Sequence, residues 1–202
     1  MVAAHHIGLD GVSFSYPGGN RVLTDIAFAV PSGSVTGLIG ENGAGKSTLL
    51  HVISGELTPD VGRVITPPVT GFIAQETSLD FREPARALVD AAVHELRQIE
   101  RDIAALSEAM ATAPENDQLA ADFDRALARA QNAGVWELDA RIASVLAGLG
   151  LGNVALETPL GEMSGGQRRR FALATLLLRP VDAMVLDEPT NHLDDAAVDF
   201  LI

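Results

Sequence analysis

The chain has 202 residues, 47% of them hydrophobic, and a net charge of −13 from 14 basic and 27 acidic side chains. That length holds one large domain or one domain carrying an insertion, and the apolar fraction supports a packed core and excludes a disordered chain. The acidity argues against a broad electrostatic grip on nucleic acid. The absence of cysteine excludes disulfides and thiolate metal sites.

No basic start followed by an apolar run opens the chain. Its longest strongly apolar stretch, Phe171–Leu178, is far shorter than the roughly 20 residues that span a bilayer. These features predict a soluble, cytoplasmic chain with no direct membrane insertion.

The first part reads as strands and turns. "GLDGVSFSY" alternates apolar and polar residues as a half-buried strand does, "PGGN" marks a turn, and "VLTDIAFAV" is a second strand. After the turn "PSG", the run "SVTGLIG" reads as a short buried strand entering a glycine-rich loop. "KSTLLHVISG" has helical spacing and a glycine stop at Gly55. "GRVITPPVTGFIAQE" supplies further short strands interrupted by Pro67 and Pro68.

From Pro84 the composition shifts to Ala, Leu, Glu, Arg and Asp. Leu96, Ile99, Ile103, Leu106 and Met110 recur at three- and four-residue steps, and after "TAPEND" so do Leu119, Phe123, Leu127 and Ala130. That predicts two amphipathic helices over about Ala85–Ala130, packed stripe to stripe, which would also project as an arm toward a partner. "WELDARIASVLAGLGL" is another helix, stopped by glycines. A helix follows Ser164, and Ala183–Leu186 is a buried strand. Arg168, Arg169 and Arg170 open that helix, point different ways and read as a solvated helix start rather than a basic patch. Strands and helices alternating around the motifs predict an α/β fold with a parallel-sheet core.

"GENGAGKS" fits the phosphate-loop pattern G-x-x-x-x-G-K-[ST]. In Gly40, Glu41, Asn42, Gly43, Ala44 and Gly45 the glycines let the backbone bend, so that successive N–H groups face an anion at a helix N-terminus. Lys46 would reach β- and γ-phosphates, Ser47 would offer its hydroxyl to Mg²⁺, and Thr48 would reach the α-phosphate side. "AMVLDE" is an apolar strand ending in two acids. Asp187 would hold the Mg²⁺ shell, and Glu188 would polarise the attacking water as general base.

Phosphate loop, "SGGQ" and "LDEP" in this order resemble the nucleotide-binding domain of the ATP-binding-cassette (ABC) ATPases. The resemblance runs from about Leu9 to the last residue. It implies a P-loop ABC domain with a parallel-sheet core, an N-terminal antiparallel β-subdomain and a helical subdomain carrying a helical-hairpin insertion. The expected parts are 1–83 (β-subdomain and phosphate loop), 84–162 (hairpin and helical subdomain) and 163–202 (signature helix, acidic strand end and D-loop).

The resemblance also implies site roles. Gln75 in "FIAQE" is the Q-loop glutamine, with a part in catalysis and in holding Mg²⁺. Tyr16 is the aromatic that stacks on adenine, with Phe14 a close competitor. Ser164, Gly165, Gly166 and Gln167 form the signature that caps the γ-phosphate of ATP bound to a second, facing ABC domain. Ser164 is a good N-cap, and the helix behind it turns its positive end to the anion.

"EPTNHLD", the long hairpin and the "WELDARIASVLAGLGL" run are similar to the ABC-F group, two-domain ATPases many of which act on the ribosome, as translation factors or antibiotic-resistance proteins. That implies ATP and Mg²⁺ as cofactors, a second ABC domain as partner and the ribosome as a target of the hairpin. The alternative is the ATPase subunit of a membrane ABC transporter. A pure nucleotide-binding regulator would require loss of Lys46 or Glu188, and both are present. The family's switch histidine, about thirty residues past the D-loop, lies beyond Ile202, and His192 within "TNHLD" is no substitute. The sequence thus reads as a first domain ended early.

Overall fold

The computed structural model describes residues 6–73, 80–189, 193 and 195–201. They fall into two compact units: Met1–Ser78 with Val181–Asn191, and Leu79–Pro180 with His192–Ile202.

The first unit is built on sheets. β1 (Ile7–Ser15) pairs antiparallel with β2 (Arg21–Val30) on one side and β3 (Val61–Ile65) on the other, giving the order β2-β1-β3. The β1–β2 register runs from Ile7 opposite Val30 to Ser15 opposite Arg21, with irregularities between. Helix α1 (Lys46–Ser54) follows the phosphate loop. β4 (Thr70–Ile73) and β5 (Ala183–Leu186) form a two-stranded parallel sheet, Thr70 opposite Ala183 and Ile73 opposite Leu186. One apolar core joins these elements: Leu9, Val12, Phe14 and Leu23 from the antiparallel sheet, Leu49, Val52 and Ile53 from α1, and Val185 from β5.

One predicted strand is absent. Ser34–Gly40 is irregular and exposed throughout, with Val35 92% and Ile39 95% accessible. An apolar run becomes a buried strand only beside a ladder partner and beneath a covering layer. In the described residues β5 pairs with β4 alone, and no strand flanks 34–40.

The second unit is helical. α2 (Ala85–Thr112) and α3 (Asp117–Ala133) form the predicted hairpin, turning at 113–116 inside "TAPEND". At 28 residues, α2 is about 42 Å long at 1.5 Å per residue. Asn116 caps α3, its side chain accepting from the N–H groups of Gln118 and Leu119 at 3.0 and 3.3 Å. The buried residues of α2 end at Ile99. Beyond it Ile103, Leu106 and Met110 are only half-buried, because there the hairpin is two helices thick.

A 3-10 turn (Val135–Glu137) leads into α4 (Leu138–Gly148), and α5 (Gly165–Leu178) packs on both α2 and α4. Arg97 of α2 holds Glu100 at 2.8 Å and also reaches Asp139, pinning the hairpin's base to α4. Among the described residues no helix is long and apolar enough to cross a membrane.

Candidate nucleotide site

The phosphate loop bends where its glycines sit. Gly43 and Gly45 have φ of 83° and 92°, a region that side chains other than glycine rarely adopt. Gly45 also lies against β2: a Cβ there would come within 3.0 Å of Val22 Cγ1 and 3.3 Å of Leu23 Cδ2. The loop is thereby held down at the point where α1 begins.

The ammonium of Lys46 folds back over the loop, donating to the carbonyls of Gly40 and Glu41 at 2.8 and 2.9 Å. Lys46 is thus already lying along the loop it would share with a phosphate. Ser47 is exposed at the helix start, while Thr48 is buried. The first turn of α1 carries no acidic side chain, and a helix start carries the positive end of the helix dipole. Glu41, Asn42 and Ala44 are exposed along the loop, and Ala44 N–H turns back to the Glu41 carbonyl at 3.2 Å.

Tyr16 lies just past the end of β1, 44% exposed, with its hydroxyl 3.3 Å from Thr48 Oγ1. Phe14, its competitor, is 6% exposed in the core and meets the Tyr16 ring edge-on at 5.0 Å. Of the two, Tyr16 is the exposed ring, with its hydroxyl at the start of α1.

At the end of β5, Asp187 is buried and its N–H continues the parallel ladder to the Ile73 carbonyl at 3.0 Å. Glu188 follows, exposed, with φ of 49°. A side chain held in that left-handed region stores about 1–3 kcal/mol of strain, and such strain gathers at functional sites. Among the described residues no group of three or more His, Asp or Glu side chains is placed to hold a metal. Asp187 and Ser47 each offer an oxygen of the kind Mg²⁺ takes, and Mg²⁺ bound with a nucleotide takes the rest of its oxygens from phosphate and water. The donor set fits Mg²⁺ carried by a nucleotide.

Ser164–Gln167 belongs to the other unit. Ser164 caps α5 as predicted, accepting from the Gln167 N–H at 3.1 Å. Gln167 closes the reciprocal bond, its Oε1 accepting from the Ser164 N–H at 2.9 Å. The S-x-x-Q spacing is a capping-box signal, so this role of Gln167 was readable in advance. Ser164 and Gly165 are exposed, and the first-turn N–H groups of a helix have no intrahelical acceptor.

The arginine run is not a uniform solvated start. Arg169 is exposed, but Arg168 binds the carbonyls of Leu160 and Met163, and Arg170 donates to the Leu149 carbonyl at 3.2 Å. Arg168 thus covers carbonyls of the 160–163 turn and Arg170 the carbonyl just past α4, a demand that composition does not reveal. Gln75, Thr190, Asn191, His192 and Asp194 lie outside the described residues.

The sequence model of the ABC transporter family matches residues 23–191. The tylosin resistance ATP-binding protein TlrC of Streptomyces fradiae is 39% identical over 96% of this chain and 36% of its own length. The energy-dependent translational throttle protein EttA of Mycobacterium tuberculosis is 32% identical over 91% of this chain and 33% of its own. ABC transporter F family member 5 of Arabidopsis thaliana is 31% identical over 96% and 29%. The chain therefore spans about a third of the length of these curated relatives. A solved ATP-binding subunit of an ABC transporter shares the fold, with TM-score 0.66 at 21% identity over 96% of this chain and 71% of that one. Its phosphate loop, its acid-ended strand and its capped SGGQ helix all fall in or beside the matched span, and the chain belongs to the ABC transporter family.

Proposed function

We propose that this chain is an ATP-binding and ATP-hydrolysing domain that works in a head-to-tail pair, in a protein of the ABC-F type acting on the ribosome. The observation that carries the nucleotide reading is the phosphate loop: two left-handed glycines, Lys46 lying across the loop carbonyls, and a helix start without acidic side chains. The ribosome reading is supported by the likeness to a translational throttle protein and to a tylosin resistance protein.

In this reading Tyr16 stacks on the adenine, and the loop N–H groups with Lys46 bind the phosphates. Ser47 and Asp187 hold Mg²⁺, joined by Gln75. The cation supplies charge neutralisation at the phosphates. Glu188 orients a water and takes its proton. The exposed start of α5 faces the nucleotide of the opposite domain, contributed by the rest of the same protein or by a second copy, and donates backbone N–H groups to it. The hairpin α2–α3 is the reach toward the ribosome.

Calorimetric titration with Mg-ATP and steady-state turnover of the paired protein test this together. Lys46→Ala should lose binding, Glu188→Gln should bind but not turn over, and Ser164→Arg should bind at this domain yet fail to turn over. Unchanged affinity in Lys46→Ala would sink the assignment. Co-sedimentation with ribosomes rather than with membranes separates the ABC-F role from a transporter subunit.

A further inference from the structure

If the start of α5 acts on a facing nucleotide, its N–H groups must keep their direction. The capping box ties Ser164 and Gln167 only to each other. Arg168 adds a tie from that turn to the segment before it. Its guanidinium reaches back along the chain, Nη1 donating to the Leu160 carbonyl at 3.3 Å and to the carbonyl of Met163, the residue before Ser164.

The same guanidinium lies over the Phe81 ring, 4.9 Å from its centroid. The Phe81 segment is itself zipped to the 159–161 segment. Gly161 N–H donates to the Phe81 carbonyl at 2.8 Å and Leu160 N–H to the Glu83 carbonyl at 2.9 Å, while Pro84 bridges Pro159. The approach is close enough that a Cβ on Gly161 would sit 3.0 Å from the Phe81 oxygen. One side chain thus fastens three pieces of backbone: 81–84, 160–163 and the first turn of α5.

We propose that Arg168 is a positioning residue for the Ser164–Gln167 face, aiming it without touching nucleotide. This rests on the reading that the face serves a partner domain's ATP. The role needs an arginine. A planar fork donates to carbonyls from its edge while its face covers a ring, and an ammonium does not do both. A cation acting on phosphate by charge alone would be satisfied by lysine.

The test is Arg168→Lys, Arg168→Ala and Phe81→Leu in the paired protein. Three quantities are read: Mg-ATP affinity at this domain's own loop, ATP turnover, and amide hydrogen exchange at Met163–Gln167. Affinity should be unchanged in all three variants. Turnover should fall about ten- to a hundredfold in both Arg168 variants, the scale that a misplaced group costs, with faster exchange at Met163–Gln167. Phe81→Leu keeps the hydrogen bonds and should fall in between, which guards against an Arg168→Ala chain that merely misfolds. A wild-type rate in Arg168→Lys, or a lowered rate with unchanged exchange, overturns the proposal. Ser164→Arg is run beside them. If it leaves turnover intact, the underlying reading of the signature face fails, and Arg168 has nothing to aim. If it abolishes turnover while Arg168→Lys does not, only the positioning role falls.

Discussion

The hydroxyl of Tyr16 lies 3.3 Å from Oγ1 of Thr48, which joins the end of β1 to the first turn of the helix behind the phosphate loop. The bond separates two aromatic residues that the sequence leaves in competition. Phe14 spends its ring on the core, while Tyr16 keeps nearly half its surface open beside the site.

Tyr16→Ala should therefore weaken ATP binding by the loss of one base–aromatic stack, about 1–3 kcal/mol. Tyr16→Phe keeps the ring and loses only the bond to Thr48, worth on the order of 1 kcal/mol or less at a part-exposed site. Phe14→Ala should behave differently, lowering thermal stability by about 3–5 kcal/mol as core truncations do. Calorimetry for affinity and thermal melts for stability, run on all three, distinguish a stacking residue from a packing one.

Gly45→Ala tests the loop. The new Cβ would meet Val22 and Leu23 at 3.0 and 3.3 Å, on a backbone with φ of 92°. The expected cost is about 1–3 kcal/mol from the backbone conformation alone, with loss of ATP affinity as the loop lifts from β2. Equal melting temperatures for variant and parent would show that the loop does not depend on this contact.

The legible parts of the molecule are those whose physics is local. The hairpin could be read because Leu96 to Met110 and Leu119 to Ala130 repeat at helical spacing on either side of "TAPEND". The start of α5 could be read because Ser164 and Gln167 satisfy each other across one turn. Ser34–Gly40 could not, since whether an apolar run pairs depends on strands elsewhere in the chain. The role of Arg168 is not legible for the same reason: its acceptors at Leu160 and Met163 are backbone groups that any sequence carries. The pairing of Asp187 with Ile73 also rests on a contact across most of the chain, although the acid-ended strand itself was plain.

Ser164→Ala should cost about 1 kcal/mol of stability through loss of the cap, seen as a lower denaturant midpoint with unchanged slope. Ser164→Thr should restore most of it. A midpoint unmoved by alanine would mean that Gln167 and Arg168 hold the turn unaided.

Acid stability at the base of the hairpin depends on Glu157. α2 has no side-chain cap; the N–H groups of Ala85 and Arg86 donate instead to the carbonyls of Thr158 and Leu156 at 3.1 and 2.8 Å. Glu157, between those two carbonyls, pairs with the Arg86 guanidinium, with Nε donating at 3.0 Å. That hydrogen bond holds the Glu157 carboxyl below its ordinary value of 4.5 and raises the Arg86 guanidinium further above its own. A carboxyl whose folded value is lowered adds stability above its unfolded value, and that stability is lost as pH falls through the folded value. The pair is exposed, so the contribution is small and screened by salt. The melting temperature of the parent should exceed that of Glu157→Gln at neutral pH and low salt. The gap should close as pH drops below about 4.5, the unfolded carboxyl's range, and should narrow in concentrated salt at any pH. A gap that persists in acid would mean that Glu157 acts through packing or backbone geometry rather than through its charge.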